Sequence, residues 1–225
     1  NLCMSFKHSV NLQRHIRFVY SHGAMYKCCN SNLLYHGCIP MKENGDFDEI
    51  KFNGIIYSGK RMLDYIEDAV KMAYFLPDDD TSKEWYKDLM WYLWCGENAP
   101  SFDKDKMATF ERYFVDDKSL SKEKKGYYYE LRNEENICDM ILKEFELYDP
   151  HSHIINGHIP VKTIQGEKPV KAGGKLLVID GGFSKAYQSE TGIAGYTLIY
   201  HSRGLQLTQH EPFQSTQKAI EEGID

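Results

Sequence analysis

Two short segments of the chain place a histidine beside a glycine at the end of an apolar run. Residues 33–40 have the sequence LLYHGCIP, and residues 153–160 have the sequence HIINGHIP. In each segment the apolar run predicts a buried strand, and the Gly and Pro that follow predict a loop. Loops at strand ends carry the active sites of layered α/β folds, and neutral imidazole is a ligand for Mn, Fe or Zn. His36 and His158 are therefore candidate metal ligands.

A structural role is the alternative interpretation of both histidines. The chain has nine histidines, and a histidine beside a glycine in a turn is commonly found without any metal. On spacing alone the structural role is the more frequent outcome. The repeated pattern raises the weight of metal ligation only modestly, so both interpretations stay open at this point.

The elements that must position these loops are helices in the first two thirds of the chain and strands in the last third. Helical spacing of apolar residues predicts an amphipathic helix over 60–76. Thr81 and Glu84 form a capping-box pattern before a second helix, and Asn133 is the predicted cap of a third. We expect this third helix to bury four side chains: Ile137, Ile141, Phe145 and Tyr148.

Further elements are predicted at both ends of the chain. Residues 6–26 have partly helical spacing, and a last helix is predicted over 214–222. Short apolar runs between Gly-rich turns predict strands, and they lie at 154–155, 176–179 and 196–200. Helices combined with buried strands that end in glycine loops indicate a layered α/β fold.

Residues 101–130 are polar and have the least regular pattern in the chain. We expect a long surface loop or an insertion here. Its lysines, Lys122, Lys124 and Lys125, are predicted to face solvent. The three tyrosines at 127–129 are predicted to serve in packing.

Composition limits the classes of function. A chain of 225 residues can form one large domain or two small ones, and its formal net charge of −6 argues against nucleic acid as a partner. The six cysteines form no CxxC pair, which favours reduced thiols in a cytoplasmic protein. No apolar run is long enough to cross a membrane. Because the first residue is Asn, we expect the chain to have been cut from a longer one.

The two histidine segments resemble motifs of a known enzyme superfamily. Residues 36–40, HGCIP, resemble the HGG-hydrophobic-S-P box of the serine/threonine phosphatase-like metallophosphoesterases. Residues 157–161, GHIPV, resemble their GH-x-P-V box, and residues 94–98, WCGEN, lie where that superfamily has its W-S-D-P stretch. A closer resemblance, to the class III fructose-1,6-bisphosphatases, extends over nearly the whole chain. Its segments are 34–40, 109–114, 156–158, 174–183 and 192–197.

This resemblance implies an enzyme that hydrolyses fructose 1,6-bisphosphate to fructose 6-phosphate and phosphate, a step of gluconeogenesis. It implies part of a layered αββα sandwich with mixed sheets, a centre of two Mn²⁺ ions, and ligation of one of them by His36 and His158. The other ligands would come from D-x-H, G-D-x-x-D-R-G and G-N-H-D/E boxes earlier in the polypeptide, and the one match to their letters in this sequence is the D-x-H at 149–151. Residues 1–225 would then be the C-terminal portion of a catalytic domain, inactive without the upstream part of the polypeptide.

The second phosphate of such a substrate needs arginine or lysine. By resemblance Arg112, within FERYF at 110–114, is the first candidate, and Lys185 is the second. The alternative for Arg112 is a structural ion pair with Glu111 or an aspartate. A second metal cluster could be imagined at Asp149, His151 and His153, where the letters D-x-H occur, although we expect these to be loop residues.

Two rival functions remain at this stage. One is another phosphatase of the same superfamily, acting on phosphoproteins or dinucleoside polyphosphates. The other is a non-catalytic module that binds sugar phosphates. A homo-oligomer is compatible with the sequence, which does not determine the oligomeric state.

Overall fold

The structure is a computed structural model that describes residues 1–180, 184–193, 195–210 and 215–223, without the side chains of Lys185 and Tyr187. The helices are α1 (Leu2–His8), α2 (Val10–His22), α3 (Gly59–Phe75), α4 (Lys83–Cys95), α5 (Thr109–Phe114), α6 (Tyr128–Leu131), α7 (Glu135–Glu144), α8 (Lys185–Thr191) and α9 (Thr216–Glu222). The strands are β1 (Lys27–Cys29), β2 (Asn32–Tyr35), β3 (Ile50–Phe52), β4 (Ile55–Tyr57), β5 (Ile154–Asn156), β6 (Val170–Lys171), β7 (Leu176–Val178), β8 (Gly195–His201) and β9 (Gly204–His210).

The central element is a mixed five-stranded sheet with the strand order β1-β2-β5-β7-β6. Its three inner strands, β2, β5 and β7, are parallel, and the two outer strands run antiparallel to their neighbours. Tyr35, Asn156 and Val178 are in register at the carboxyl ends of the three parallel strands. This register brings the loops that follow the three strands to one edge of the sheet.

Apolar residues in register explain why the parallel strands form here. Leu33, Ile154 and Leu176 face each other along one row and are fully buried. Runs of buried aliphatic residues are typical of parallel strands, which are covered on both faces. These three side chains pack in one cluster with Ile137 and Ile141 of α7, so the sheet and α7 share a core.

A second core lies between α3, α4 and the β3–β4 hairpin. Met62 and Ile66 on α3 pack against Leu89 on α4 and Phe52 on β3. The helix predicted over 60–76 is therefore confirmed, since α3 spans Gly59–Phe75. The strands predicted over 154–155, 176–179 and 196–200 are confirmed as well, as β5, β7 and β8.

Several details of the sequence prediction are wrong. Four strands lie between residues 27 and 57, so strands are not confined to the last third of the chain, although one of the four, β2, confirms the strand predicted before His36. Helix α4 begins at Lys83 with Ser82 at the N-cap position, so Thr81 and Glu84 form no capping box. Glu134 occupies the N-cap position of α7.

Asn133 does not cap α7, and Tyr148 is not a core residue, so both predictions are wrong. The amide of Asn133 donates to the carbonyl oxygens of Tyr129 and Glu130 at the end of α6. Ile137, Ile141 and Phe145 are buried as predicted, but 73% of Tyr148 is exposed. Tyr148 lies beyond the end of α7 and turns outward, because the helical spacing no longer applies there.

Residues 101–130 are largely irregular, and most of them are exposed or half-buried, but a few contribute to the core. Phe102 and Tyr128 are buried, and the carboxylate of Asp103 is buried with them. Lys122, Lys124 and Lys125 are exposed, which agrees with the prediction for this lysine cluster. Among the described residues no helix is both long and apolar enough to cross a membrane.

Candidate metal centre

His36 and His158 meet at the carboxyl edge of the sheet. His36 is the first residue after β2, and His158 follows β5 by two residues. Their ring centroids are 5.4 Å apart, and the ring planes are perpendicular. The parallel pairing of β2 with β5 produces this meeting, because Tyr35 and Asn156 are direct partners in the register.

The backbone around His158 forms a tight three-residue turn. The N–H of Ile159 donates to the carbonyl oxygen of Gly157 over 2.8 Å, and His158 has a φ of +67°. A non-glycine residue in the left-handed region is uncommon, and such residues concentrate at functional sites. The turn therefore presents the imidazole at a cost in backbone strain.

Gly157 makes room for the other imidazole. A Cβ atom at this position would lie 2.9 Å from Nδ1 of His36. Any other residue at position 157 would push that ring away from its place. The lack of a side chain at position 157 therefore allows the ring of His36 to lie this close to the loop.

The electrostatic environment favours a neutral His158. Burial lowers the pKa of His158, and the nearby His36, Lys104 and Arg132 lower it further, while Asp180 acts in the opposite direction. Removing an imidazole from water disfavours its protonated form, and neighbouring positive charge does the same. A neutral imidazole has a free lone pair, which is the form that binds a metal ion.

A cleft of about 550 Å³ opens beside the histidine loops. His36, Gly157 and Asn156 form part of its wall, and Lys27 contributes a positive charge. Its remaining wall is mostly apolar, with Met25, Tyr26 and Ile179 among the lining residues. The exposed His36 thus borders a space that a small molecule can enter.

Asn156 and Arg132 are two residues at this edge for which the sequence predicted no role, although Asn156 lies in the segment 156–158 that resembles the family. Both are buried, and Nη1 of Arg132 donates to Oδ1 of Asn156. The ring of Tyr129 lies between Arg132 and His158, with its centroid 4.8 Å from the guanidinium carbon and 6.1 Å from the centroid of the imidazole ring. A further signal was an asparagine at the end of a predicted strand, because asparagine is rare inside strands.

Arg112 forms an ion pair, and its partner is Glu123 rather than Glu111 or an aspartate. Nη2 of Arg112 lies 3.1 Å from Oε2 of Glu123, and more than half of the arginine side chain remains exposed. Burial raises the pKa of Glu123, but Lys104, the backbone N–H of Ala108 and Arg112 outweigh burial, so this pKa lies below its ordinary value. Lys185 begins α8, and its side chain lies outside the described part of the chain.

The residues around Asp149, His151 and His153 do not converge. Oδ1 of Asp149 accepts the backbone N–H of His151 in a local turn. Nδ1 of His153 lies 2.8 Å from the carbonyl oxygen of Gly174, which makes it a hydrogen-bond donor. These residues have the roles of loop residues, as expected.

The donor set at the carboxyl edge fits part of a metal site. Two imidazole rings lie together there, and no group of three or more His, Cys, Asp or Glu residues that could hold a metal ion occurs in the part of the chain that the structure describes. Manganese sites usually include carboxylate ligands. A metal at this edge therefore needs further ligands from outside the described residues.

The fold and the site define an α/β domain with two histidine loops at one edge of a mixed sheet. All 225 residues match the sequence profile described as Firmicute fructose-1,6-bisphosphatase. The chain belongs to this family.

Similar proteins carry related names. The chain is 65% identical over 221 residues to "Fructose-1,6-bisphosphatase class 3" of Bacteroides fragilis, covering 98% of this chain and 33% of that protein. It is 59% identical over 224 residues to the protein of the same name from Clostridium botulinum strain Langeland, covering 100% of this chain and 34% of that protein. The chain thus spans about a third of the length of these relatives. No solved structure matches it.

Proposed function

We propose that this chain supplies one side of the active site of an enzyme that hydrolyses fructose 1,6-bisphosphate to fructose 6-phosphate and phosphate, a step of gluconeogenesis. The observation that carries the proposal is the meeting of His36 and His158, with ring centroids 5.4 Å apart, in a chain that belongs to the Firmicute fructose-1,6-bisphosphatase family.

His36 and His158 would hold one Mn²⁺ ion of a two-metal centre. Such a centre, when bound, supplies Lewis-acid stabilisation of the charge that develops on the phosphoryl oxygens. The contribution of this chain is a pair of imidazoles, of which His158 is kept neutral by burial and by nearby positive charge. Gly157 permits the close approach of the two loops.

The remaining ligands would come from an upstream part of the same polypeptide. In this proposal residues 1–225 are the C-terminal portion of a metallophosphoesterase domain, and their five-stranded sheet is one sheet of an αββα sandwich. The length of the relatives, about three times that of this chain, supports the presence of further sequence. The chain on its own would then be inactive, because two imidazoles cannot compensate the charge of two divalent ions.

Arg112 and Lys185 are proposed to bind the second phosphate of the substrate. Arg112 is oriented by Glu123 and still exposes more than half of its side chain, so it can contact an anion. Charge-assisted bonds from arginine to phosphate are among the stronger polar contacts in proteins. For Lys185 the support is its position after 181–183 in the segment that resembles the family.

The test uses the longest natural polypeptide that contains this chain, purified and loaded with Mn²⁺. We expect rapid phosphate release from fructose 1,6-bisphosphate and little from a phosphopeptide or a dinucleoside polyphosphate. If either comparison substrate is hydrolysed faster, the proposed substrate is wrong. Residues 1–225 assayed alone serve as the control and should release no phosphate above background.

A further inference from the structure

The side-chain amide of Asn156 bridges β5 to the loop that carries His36. Its nitrogen lies 3.0, 3.1 and 3.0 Å from the carbonyl oxygens of Tyr35, His36 and Gly37. An asparagine amide has two N–H groups, so three successive carbonyl groups share them. Because Asn156 is only 1% exposed, water does not compete for these bonds, and the loop is held against β5.

Arg132 determines which way this amide points. Oδ1 of Asn156 accepts hydrogen bonds from Nη1 of Arg132 and from the hydroxyl of Tyr128. Turning the amide over would place its NH₂ group against the guanidinium donor, and its oxygen against the carbonyl oxygens of the loop. The charged donor on one side and the carbonyl groups on the other side therefore allow one orientation only.

Arg132 is a buried positive charge without a carboxylate partner among the described residues. It is 3% exposed, and among the described residues it forms no ion pair with a carboxylate. Its guanidinium carbon lies 4.8 Å from the ring centroid of Tyr129. That ring is nearly parallel to the imidazole of His158, at an interplanar angle of 24°. The side chain of Arg132 thus connects Asn156, and with it the His36 loop, to the ring that packs beside His158.

We propose that Asn156, oriented by Arg132, is a positioning residue that fixes the separation of the His36 and His158 rings. This inference rests on the proposed function, in which the two rings bind one metal ion. Groups that orient metal ligands influence affinity strongly, and their loss typically weakens metal binding about 10- to 100-fold. Asn156 acts on the ligands through the backbone of the His36 loop and does not touch the metal.

Asn32 provides a matched control at the opposite end of the same strand pair. It is 5% exposed and also joins β2 to β5, because its Oδ1 accepts the backbone N–H of His153 over 3.0 Å. Its amide nitrogen donates to the carbonyl oxygen of Asn30. Asn32 and Asn156 therefore have the same residue type and similar burial, and both join β2 to β5. Asn32 makes this contact through its oxygen and Asn156 through its amide nitrogen, and Asn156 is the one of the two that contacts the His36 loop.

The experiment compares Asn156→Asp with Asn32→Asp in the longest natural polypeptide that contains this chain. Each substitution keeps the acceptor oxygen and removes the amide donor. At Asn156 this breaks the bonds to the His36 loop, whereas at Asn32 it breaks only the local bond to the carbonyl oxygen of Asn30. Mn²⁺ affinity is measured by electron paramagnetic resonance of the free ion, and the free energy of unfolding is measured in parallel. We expect Asn156→Asp to weaken Mn²⁺ binding about 10- to 100-fold and Asn32→Asp to change it less than about twofold. Equal effects of the two substitutions on Mn²⁺ affinity would overturn the inference.

Two further variants keep the outcomes distinguishable. Arg132→Lys retains the charge but loses the planar fork, so a folded Arg132→Lys protein should also bind Mn²⁺ more weakly, by about three- to tenfold. This variant decides the question if Asn156→Asp does not fold, and unchanged affinity would then contradict the inference. His36→Ala tests the proposed function itself: if Mn²⁺ affinity survives that substitution, the metal centre is elsewhere and the proposed function fails first.

Discussion

At the carboxyl end of β5, His158 lies across from His36, with the ring centroids 5.4 Å apart. At the amino end of the same strand, His153 uses its ring to bind the carbonyl oxygen of Gly174, and the side chain of His151 is exposed. Both ends carry histidine, and the amino end also carries an aspartate in the D-x-H pattern. Only the carboxyl end brings two imidazoles together.

The difference comes from what surrounds each histidine. At the carboxyl end two parallel strands stop in register, and Gly157 leaves space for the ring of the neighbouring loop. At the amino end the ring nitrogen is already engaged by the backbone. Residue types alone therefore do not make a site, because strand direction and the lack of a side chain at position 157 decide whether two rings can approach.

The sequence was sufficient to predict the strands and loops that carry His36 and His158, since apolar runs followed by Gly and Pro have local causes. It was not sufficient for Asn156 and Arg132. Asn156 lies 24 residues from Arg132 and about 120 from the His36 carbonyl group. Bonds between positions so far apart leave no local pattern, so only the folded chain shows them.

Helix ends were also poorly predicted, for a related reason. The Thr81–Glu84 spacing fits a capping box, yet Asp80 accepts hydrogen bonds from the N–H and hydroxyl of Ser82 and the helix starts at Lys83. Neighbouring polar residues offer several nearly equivalent turns, and packing elsewhere chooses among them.

The largest expected effect comes from removing either imidazole at the carboxyl end. His36→Ala and His158→Ala in the longest natural polypeptide should each weaken Mn²⁺ binding by more than about 100-fold, because a first ligand contributes more than the groups that orient it. Isothermal titration calorimetry measures the affinity. His153→Ala, at the amino end of β5, is the control and should leave Mn²⁺ affinity unchanged. A loss of Mn²⁺ binding in His153→Ala would show that the amino end of β5 also contributes to the metal site.

Gly157→Ala tests whether the lack of a side chain at position 157 is what allows the two histidine rings to lie close together. The new Cβ would lie 2.9 Å from Nδ1 of His36, so the ring must move, and we expect a loss on the order of 1 kcal/mol in the free energy of unfolding because the exposed ring has to leave its rotamer. The reason is steric, so the cost should fall to nearly zero in a His36→Ala background. A double-mutant cycle by urea denaturation measures this coupling. Additive effects of the two substitutions would show that Gly157 has a different role.

A buried acid, Asp103, lies next to the residues that hold the carboxyl end of β5. It contacts Tyr128, whose hydroxyl donates to Asn156. Asp103 accepts the backbone N–H of Tyr128, and burial raises the pKa of Asp103 to about 6. Since an unfolded aspartate has a pKa of about 3.9, the folded state binds the proton more tightly. This contribution is complete below pH ~4 and is lost as the pH rises through about 6, a change on the order of 2 kcal/mol.

Asp103→Asn should remove this pH dependence, because the amide does not titrate and can still accept the N–H of Tyr128. Urea denaturation of both proteins between pH 4 and pH 7 checks the expectation. The difference in unfolding free energy between the two proteins should change across this window. A constant difference would mean that Asp103 titrates at its ordinary pKa in the folded chain.

The smallest expected effect concerns Arg112 on α5. It tests whether the site at the carboxyl end of β5 also includes this residue. Lys104, which lowers the pKa of His158, shares Glu123 with Arg112, so an ionic chain connects α5 to the histidine edge. Arg112 exposes more than half of its side chain, and Glu123 keeps Lys104 as a second partner, so Arg112→Ala should change the free energy of unfolding by less than about 1 kcal/mol. If Arg112 contacts the second phosphate, the same substitution should raise KM for fructose 1,6-bisphosphate about fivefold, which corresponds to about 1 kcal/mol. Steady-state kinetics measures this change, with Lys122→Ala as the control. An unchanged KM in Arg112→Ala would show that Arg112 has only a structural role, in its ion pair with Glu123.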